Sequence, residues 1–214
     1  RVLRRHVPAM LGLFKEITVD TLFTNETRLA ELVEETKSGW DMDIFRRGLT
    51  VVTHRLLSYV SPVENFCDAG ELSYYYFISN LARQIHEDAA AVGQRLDAVM
   101  KKIFTKANLV LEVTCESSNK DGVLSGLPQW LDALPQGQAS TELFHFDAVK
   151  KNEGILTSGK VQYVAKGGNF RSHGFAYTGS LNVLDTILQY GYLWTKIRVQ
   201  GGAYGAFTRF YDNG

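Results

Sequence analysis

The segment Lys196-Ile-Arg-Val-Gln-Gly-Gly-Ala-Tyr-Gly-Ala-Phe207 gathers the residue types best suited to chemistry in this chain. Gly201, Gly202 and Gly205 let a backbone turn sharply and let another chain come close. Arg198 offers a rigid fork of guanidinium donors, and Tyr204 a phenol on a short side chain with few rotors. A loop so composed can grip a peptide backbone. The same residues allow a plainer reading, in which the glycines end a helix and open a strand while Tyr204 packs half-buried.

Other chemistries find less footing. The five histidines, His6, His54, His86, His145 and His173, lie outside helical ligand spacing of one another. His86-Glu87 begins like a His-Glu-x-x-His site, but Ala90 stands where the second histidine belongs, and no His-x-x-Glu-His occurs. The expectation is that this chain supplies no metal ligands. There is no Gly-x-Ser-x-Gly elbow, and Cys67 and Cys115 carry no sequence cue of a catalytic nucleophile. The Gly201–Gly205 cluster follows a helical pattern rather than a strand and lacks Lys-Ser/Thr, so the phosphate-binding fingerprints fail.

The elements that would position the loop change character along the chain. Leu29, Leu32 and Val33 recur at helical spacing from Asn25 to about Ser38-Gly39. A second amphipathic stretch runs from Asp41 to Ser61, with Ile44, Phe45, Leu49, Val52, Leu56, Leu57 and Val60 as its core candidates. Leu72 to Leu81 reads as helix despite Tyr74, Tyr75, Tyr76 and Phe77, and Asp88 to Thr105 reads as helix through Val92, Leu96, Val99, Met100 and Ile103. The period then falls to two. Asn108 to Cys115 reads as a half-buried strand, followed by a helix with Val123, Leu127, Trp130, Leu131 and Leu134.

Pro135-Gln-Gly-Gln-Ala-Ser140 is the candidate linker, and a domain boundary is expected within 136–158. Beyond it, runs at 154–157, 161–166, 175–177 and 206–211 read as strands. Between the last two, a helix starting at Ser180 turns Leu181, Leu184, Ile187, Leu188 and Trp194 inward and places Lys196 and Arg198 at its C-terminal end, where the dipole favours positive charge.

Composition bounds the function classes. With 214 residues, 45% hydrophobic and 21% charged, the chain can bury a real core. Its 23 basic residues balance 23 acidic ones, so no global field draws in nucleic acid or an anionic membrane surface, and no apolar run is long enough for a membrane span. Two cysteines read as reduced, buried thiols. The basic opening from Arg1 to His6 lacks the serines of a targeting peptide and reads as surface charge. Asp212-Asn213-Gly214 is a hairpin-turn signal with no return strand, which suggests a piece of something longer.

Three stretches carry a family resemblance: Gly159-Lys-Val-Gln-Tyr-Val-Ala-Lys-Gly-Gly-Asn169, Tyr192-Leu-Trp194, and Arg198-Val-Gln-Gly-Gly-Ala-Tyr-Gly-Ala-Phe207. They resemble the C-terminal half of the presequence-protease family, pitrilysin-like (insulinase-type) zinc metallopeptidases of the inverted His-x-x-Glu-His class. Phe23-Thr-Asn-Glu-Thr-Arg-Leu29, Lys37-Ser38, His54-Arg-Leu-Leu-Ser-Tyr59 and Leu72-Ser-Tyr-Tyr-Tyr-Phe77 are similar to that family's third unit, so the likeness covers about residues 22–214.

The resemblance implies an α+β fold of pitrilysin-like units, helices packed on mainly antiparallel sheets. It implies a third-unit-like domain over 1–145 and the truncated start of a fourth over 146–214. The function it implies is the substrate-binding C-terminal portion of a zinc metalloendopeptidase that degrades short unstructured peptides, such as cleaved presequences, in the mitochondrial matrix or a plastid. Tyr204 would then stabilise the oxyanion at the scissile carbonyl, Arg198 would hold the substrate backbone, and Gly201, Gly202 and Gly205 would line the approach. Zinc would come from an N-terminal half absent from this sequence, which leaves open whether the chain alone is an enzyme. The alternative is a non-catalytic peptide-binding or scaffold module.

Overall fold

A computed structural model describes residues 2–138 and 142–214. Packing divides the chain into two units, Arg1–Trp40 with Tyr76–Phe144, and Asp41–Tyr75 with His145–Gly214. The end of the candidate linker, Ala139-Ser140, and the opening Arg1 lie outside the described residues.

The first unit begins with helix α1 (Val7–Lys15), where Pro8 occupies the first turn at no cost because that amide has no helical acceptor. Helix α2 (Glu26–Arg46) opens in this unit. Helix α6 (Ala89–Ile103) starts where the Asp88 carboxylate accepts from the Ala91 amide at 2.9 Å, satisfying one of the donors a helix start leaves orphaned. Two short helices, α7 (Lys120–Leu124) and α8 (Leu127–Leu131), follow it in this unit. Leu11 of α1 meets Leu127, Trp130 and Leu134 in a buried cluster. The Trp130 indole donates to the Thr18 hydroxyl at 2.9 Å, which satisfies its one polar group within that core.

The second unit holds α3 (Gly48–Leu57), α4 (Pro62–Asp68) and the start of α5 (Leu72–Glu87). Ser61 caps α4 by accepting from the Glu64 amide, and Pro62 takes the first helical position. Near the C-terminus α9 (Gly179–Thr186) passes directly into a π-helical segment, Ile187–Gln200.

The expected α+β class does not hold: no strand or bridge forms among the described residues, and the architecture is all-α. None of the runs read as strands, 108–115, 154–157, 161–166, 175–177 and 206–211, forms a ladder. Period-two alternation shows that a run could be half-buried on a sheet; only a neighbour in register makes it a strand. Here helices and side chains hold the non-helical chain. The Val149 amide donates to the Tyr59 carbonyl at 2.9 Å, and the Gln189 side chain holds 206–208. Val110, at 92% exposed, faces no partner sheet.

Helix placement departs from expectation in several places: the stretch read as one helix from Asp41 to Ser61 divides between α2 and α3, and the helix read through Val123 to Leu134 divides between α7 and α8. Gly39 does not end α2, which runs on to Arg46. Thr178, not Ser180, stands at the start of α9, and the face expected inward is open, with Ile187 and Trp194 exposed. A π-helix has more residues per turn than an α-helix, so side chains three or four apart no longer stack on one line. Cys67 and Cys115 are free but exposed, not buried. No helix of the described residues is long and apolar enough to cross a membrane.

Candidate functional site

The π-helical segment delivers Arg198 to its last turn, and the glycines after it close the helix. Amides of Gly202 and Ala203 donate to the carbonyls of Arg198 and Ile197 at 3.1 and 3.2 Å. These bonds resemble the paired closure of an α-helix at a left-handed residue, each spanning one residue more, as a ladder between residues five apart requires. Gly202 takes φ +74°, where a side chain is strained. A Cβ at Gly201 would stand 2.6 Å from the Ile197 carbonyl oxygen. Both glycines are therefore demanded by the helix end itself.

Arg198 turns back onto the loop. Its Nε donates to the Tyr204 carbonyl at 3.1 Å, and its guanidinium carbon lies 4.2 Å from the centre of the Trp194 ring. Stacking on an indole fixes the plane of the fork while leaving its outer edge open. The terminal nitrogens make no hydrogen bond among the described residues. Tyr204 is 97% exposed, so it does not pack half-buried. Gly205 has room limited only by the Phe207 ring, 3.0 Å from a built Cβ. Arg198, Tyr204, Gly201, Gly202 and Gly205 are thus one continuous turn, with donors of the kind a peptide carbonyl accepts.

Gln189, which sequence reasoning did not single out, pins the exit of this turn. Its Nε2 donates to the Ala206 carbonyl at 2.8 Å, and its Oε1 accepts from the Thr208 amide at 3.2 Å. A glutamine in an apolar helical stretch gave no local signal of that partnership.

A second polar group missed by sequence lies elsewhere in the same unit. Arg55 of α3 donates to Asp68 at 2.6 Å and to Glu153 at 2.7 and 3.1 Å. The Ser73 hydroxyl donates to Asp68, and the Tyr59 hydroxyl to Glu153. Hydrogen bonding from Arg55, joined by Tyr59, outweighs desolvation and draws the Glu153 carboxyl down to about 2. Desolvation, then the bond to Glu153, pushes the Tyr59 phenol up to about 12. Glu153 raises the Arg55 guanidinium still further above its ordinary range. All three stay in the charge state the network needs across neutral pH.

No group of three or more His, Cys, Asp or Glu side chains among the described residues is arranged to hold a metal ion.

Known proteins share both halves of this sequence. Residues 1–81 match the family described as Peptidase M-16C associated, and residues 152–214 match the PreP C-terminal domain. The chain is 31% identical over 205 residues to Protein HypA of Clostridium perfringens, covering 95% of this chain and 21% of that protein. It is 24% identical over 204 residues to presequence protease 1, chloroplastic/mitochondrial, of Arabidopsis thaliana, covering 94% and 19%. It is also 24% identical over 214 residues to the mitochondrial presequence protease of Yarrowia lipolytica, covering 95% and 21%. The chain spans about a fifth of the length of these relatives. No solved structure matches it.

Proposed function

The chain belongs to the presequence protease family, as part of its C-terminal region, and from that premise we propose that it is the peptide-gripping portion of a zinc metalloendopeptidase. The peptides are short and unstructured, of the cleaved-presequence kind, and the metal and its ligands belong to a part of the protein outside this chain. The observation that carries this reading is the Arg198–Tyr204 turn: a tethered, stacked guanidinium with its outer donors open, beside a phenol 97% exposed.

The chemistry assigned to these residues is binding and charge stabilisation. Arg198 donates to backbone carbonyls of the bound peptide and fixes its register. The Tyr204 hydroxyl donates to the scissile carbonyl oxygen as negative charge develops there, an interaction stronger in the transition state than in the ground state. Gly201, Gly202 and Gly205 keep side chains out of the space the peptide enters. Zinc, when bound elsewhere in the enzyme, supplies Lewis acidity and an activated water. The division into a third-unit-like part over 1–145 and the start of a fourth over 146–214 belongs to the same proposal. It is supported by the two family matches falling on either side of that boundary. A mitochondrial or plastid location is drawn from the names of the two organellar relatives, whereas the relative of higher identity is bacterial.

The test is made in the complete gene product that carries this chain. Tyr204→Phe and Arg198→Ala are each expected to lower kcat/KM by roughly tenfold or more with zinc content unchanged; removing an oxyanion donor typically costs about 3 kcal/mol. Wild-type kinetics in both variants would overturn the assignment.

A further inference from the structure

We propose that Gln189 is a positioning residue for Tyr204, acting through the backbone of the loop; this rests on the peptide-gripping reading above. A side chain as open as Tyr204, 97% exposed, has no packing to aim it, so the reach of its hydroxyl is set by where the backbone places Cα and by a rotor free in solvent. Whatever fixes the backbone from 203 to 208 therefore fixes the point from which the phenol reaches.

Two tethers bracket that stretch. On the entry side Arg198 Nε holds the Tyr204 carbonyl at 3.1 Å. On the exit side Gln189 holds the Ala206 carbonyl at 2.8 Å and the Thr208 amide at 3.2 Å. In extended backbone the carbonyl of one residue and the amide two residues on point to the same side, and together they are what a neighbouring strand would pair. The carboxamide of Gln189 presents one donor and one acceptor in that spacing and takes the neighbour's place. Both partners determine which end is nitrogen, since a carbonyl needs a donor and an amide an acceptor.

Other side chains do this job poorly. Glutamate keeps the acceptor for Thr208 but sets a carboxylate oxygen against the Ala206 carbonyl, and alanine removes both contacts. Glutamate thus loses the Ala206 bond and alanine both, so in either case the distance of 206–208 from the π-helical segment is no longer fixed, and Tyr204 loses its aim while the Arg198 tether remains. Misplacement of this kind weakens an interaction made in the transition state, so the loss falls on kcat more than on KM.

The experiment compares Gln189→Ala, Gln189→Glu, Tyr204→Phe and the double variant Gln189→Ala/Tyr204→Phe in the complete gene product. The assay is cleavage of a quenched fluorescent peptide, with zinc content and circular dichroism as controls on folding. Gln189→Ala and Gln189→Glu are each expected to lower kcat about tenfold with KM changed less than about threefold. In the Tyr204→Phe background, Gln189→Ala is expected to cost almost nothing more, because residues acting as a unit are not additive. Gln189→Glu keeps the bulk of the side chain, so it carries the test if the alanine variant folds poorly. Wild-type kinetics in both Gln189 variants alongside an impaired Tyr204→Phe would overturn the proposal and leave the gripping role standing. A full multiplicative loss in the double variant would overturn it too, since Gln189 would then act on something other than Tyr204. Wild-type kinetics in Tyr204→Phe would remove the gripping role and the proposal with it.

Discussion

Glu153 shows at single-residue scale how this chain fastens an extended run to a helix. Its carboxylate takes two bonds from Arg55 and one from Tyr59, with the Val149 amide bound to the Tyr59 carbonyl nearby. Charge-assisted bonds of this kind are each worth roughly 1.5–3 kcal/mol, and the site is only partly exposed. Glu153→Gln is thus expected to lower the hydrogen-exchange protection of the Val149 amide by about 30-fold near neutral pH, equivalent to roughly 2 kcal/mol. The sign of the pH dependence follows from a carboxyl at about 2 in the fold against an ordinary 4.5. Its contribution is fully present above 4.5, drains as pH falls through that interval, and is gone below about 2. The gap between wild type and variant should narrow from about pH 6 to about pH 3, and an equal gap at both would refute the coupling. The sequence could not announce this pair, because 98 residues separate Arg55 from Glu153. The nearness of Arg198 and Tyr204 is legible because only five residues, two of them glycines, lie between them, which puts both in one turn whatever the rest of the chain does.

At the scale of elements, α2 and α6 show why helices were readable in kind but not at their edges. Gly39 looked like a stop, since glycine costs a helix about 1 kcal/mol relative to alanine. Burial of Val33 and Ile44 along α2 supports the helix across it. Apolar spacing found α5 and α6 for the same reason that it misplaced the inward face after Ile187: the count assumes α geometry, and the π-helical segment does not have it. Two glycine substitutions separate propensity from packing. Nothing lies within 4 Å of a Cβ built on Gly39, so Gly39→Ala should raise exchange protection in α2 by up to about 1 kcal/mol. A Cβ on Gly93 of α6 would stand 2.4 Å from the Phe23 carbonyl oxygen, a backbone atom that cannot rotate away. Gly93→Ala should lower protection in α6 by roughly 1–3 kcal/mol despite the better propensity, because overpacking outweighs it. Stabilisation by both alanines would show that Phe23 does not constrain α6.

At the scale of the whole molecule, gripping and metal chemistry are predicted to come apart. The charged side chains balance to zero, and among the described residues no group of three or more His, Cys, Asp or Glu is arranged to hold a metal ion; on the proposed reading the chain's share of the work would be hydrogen-bond donors to a peptide. If Arg198 holds the peptide backbone and the zinc lies outside this chain, removing the metal should abolish cleavage while leaving peptide affinity nearly intact. In the complete gene product, chelator treatment is expected to eliminate turnover of an unstructured peptide and to shift its Kd, measured by calorimetry, by less than about threefold. Arg198→Ala in the same chelated protein should raise Kd roughly tenfold, the weight of one hydrogen bond from a charged donor. The two results together are needed. A peptide lost on chelation would place most of the grip at the metal and leave Arg198 a bystander. A peptide retained equally well by wild type and Arg198→Ala would locate the grip away from the 196–207 turn. Only affinity that survives chelation and falls with Arg198 matches a fork whose outer donors the fold leaves open.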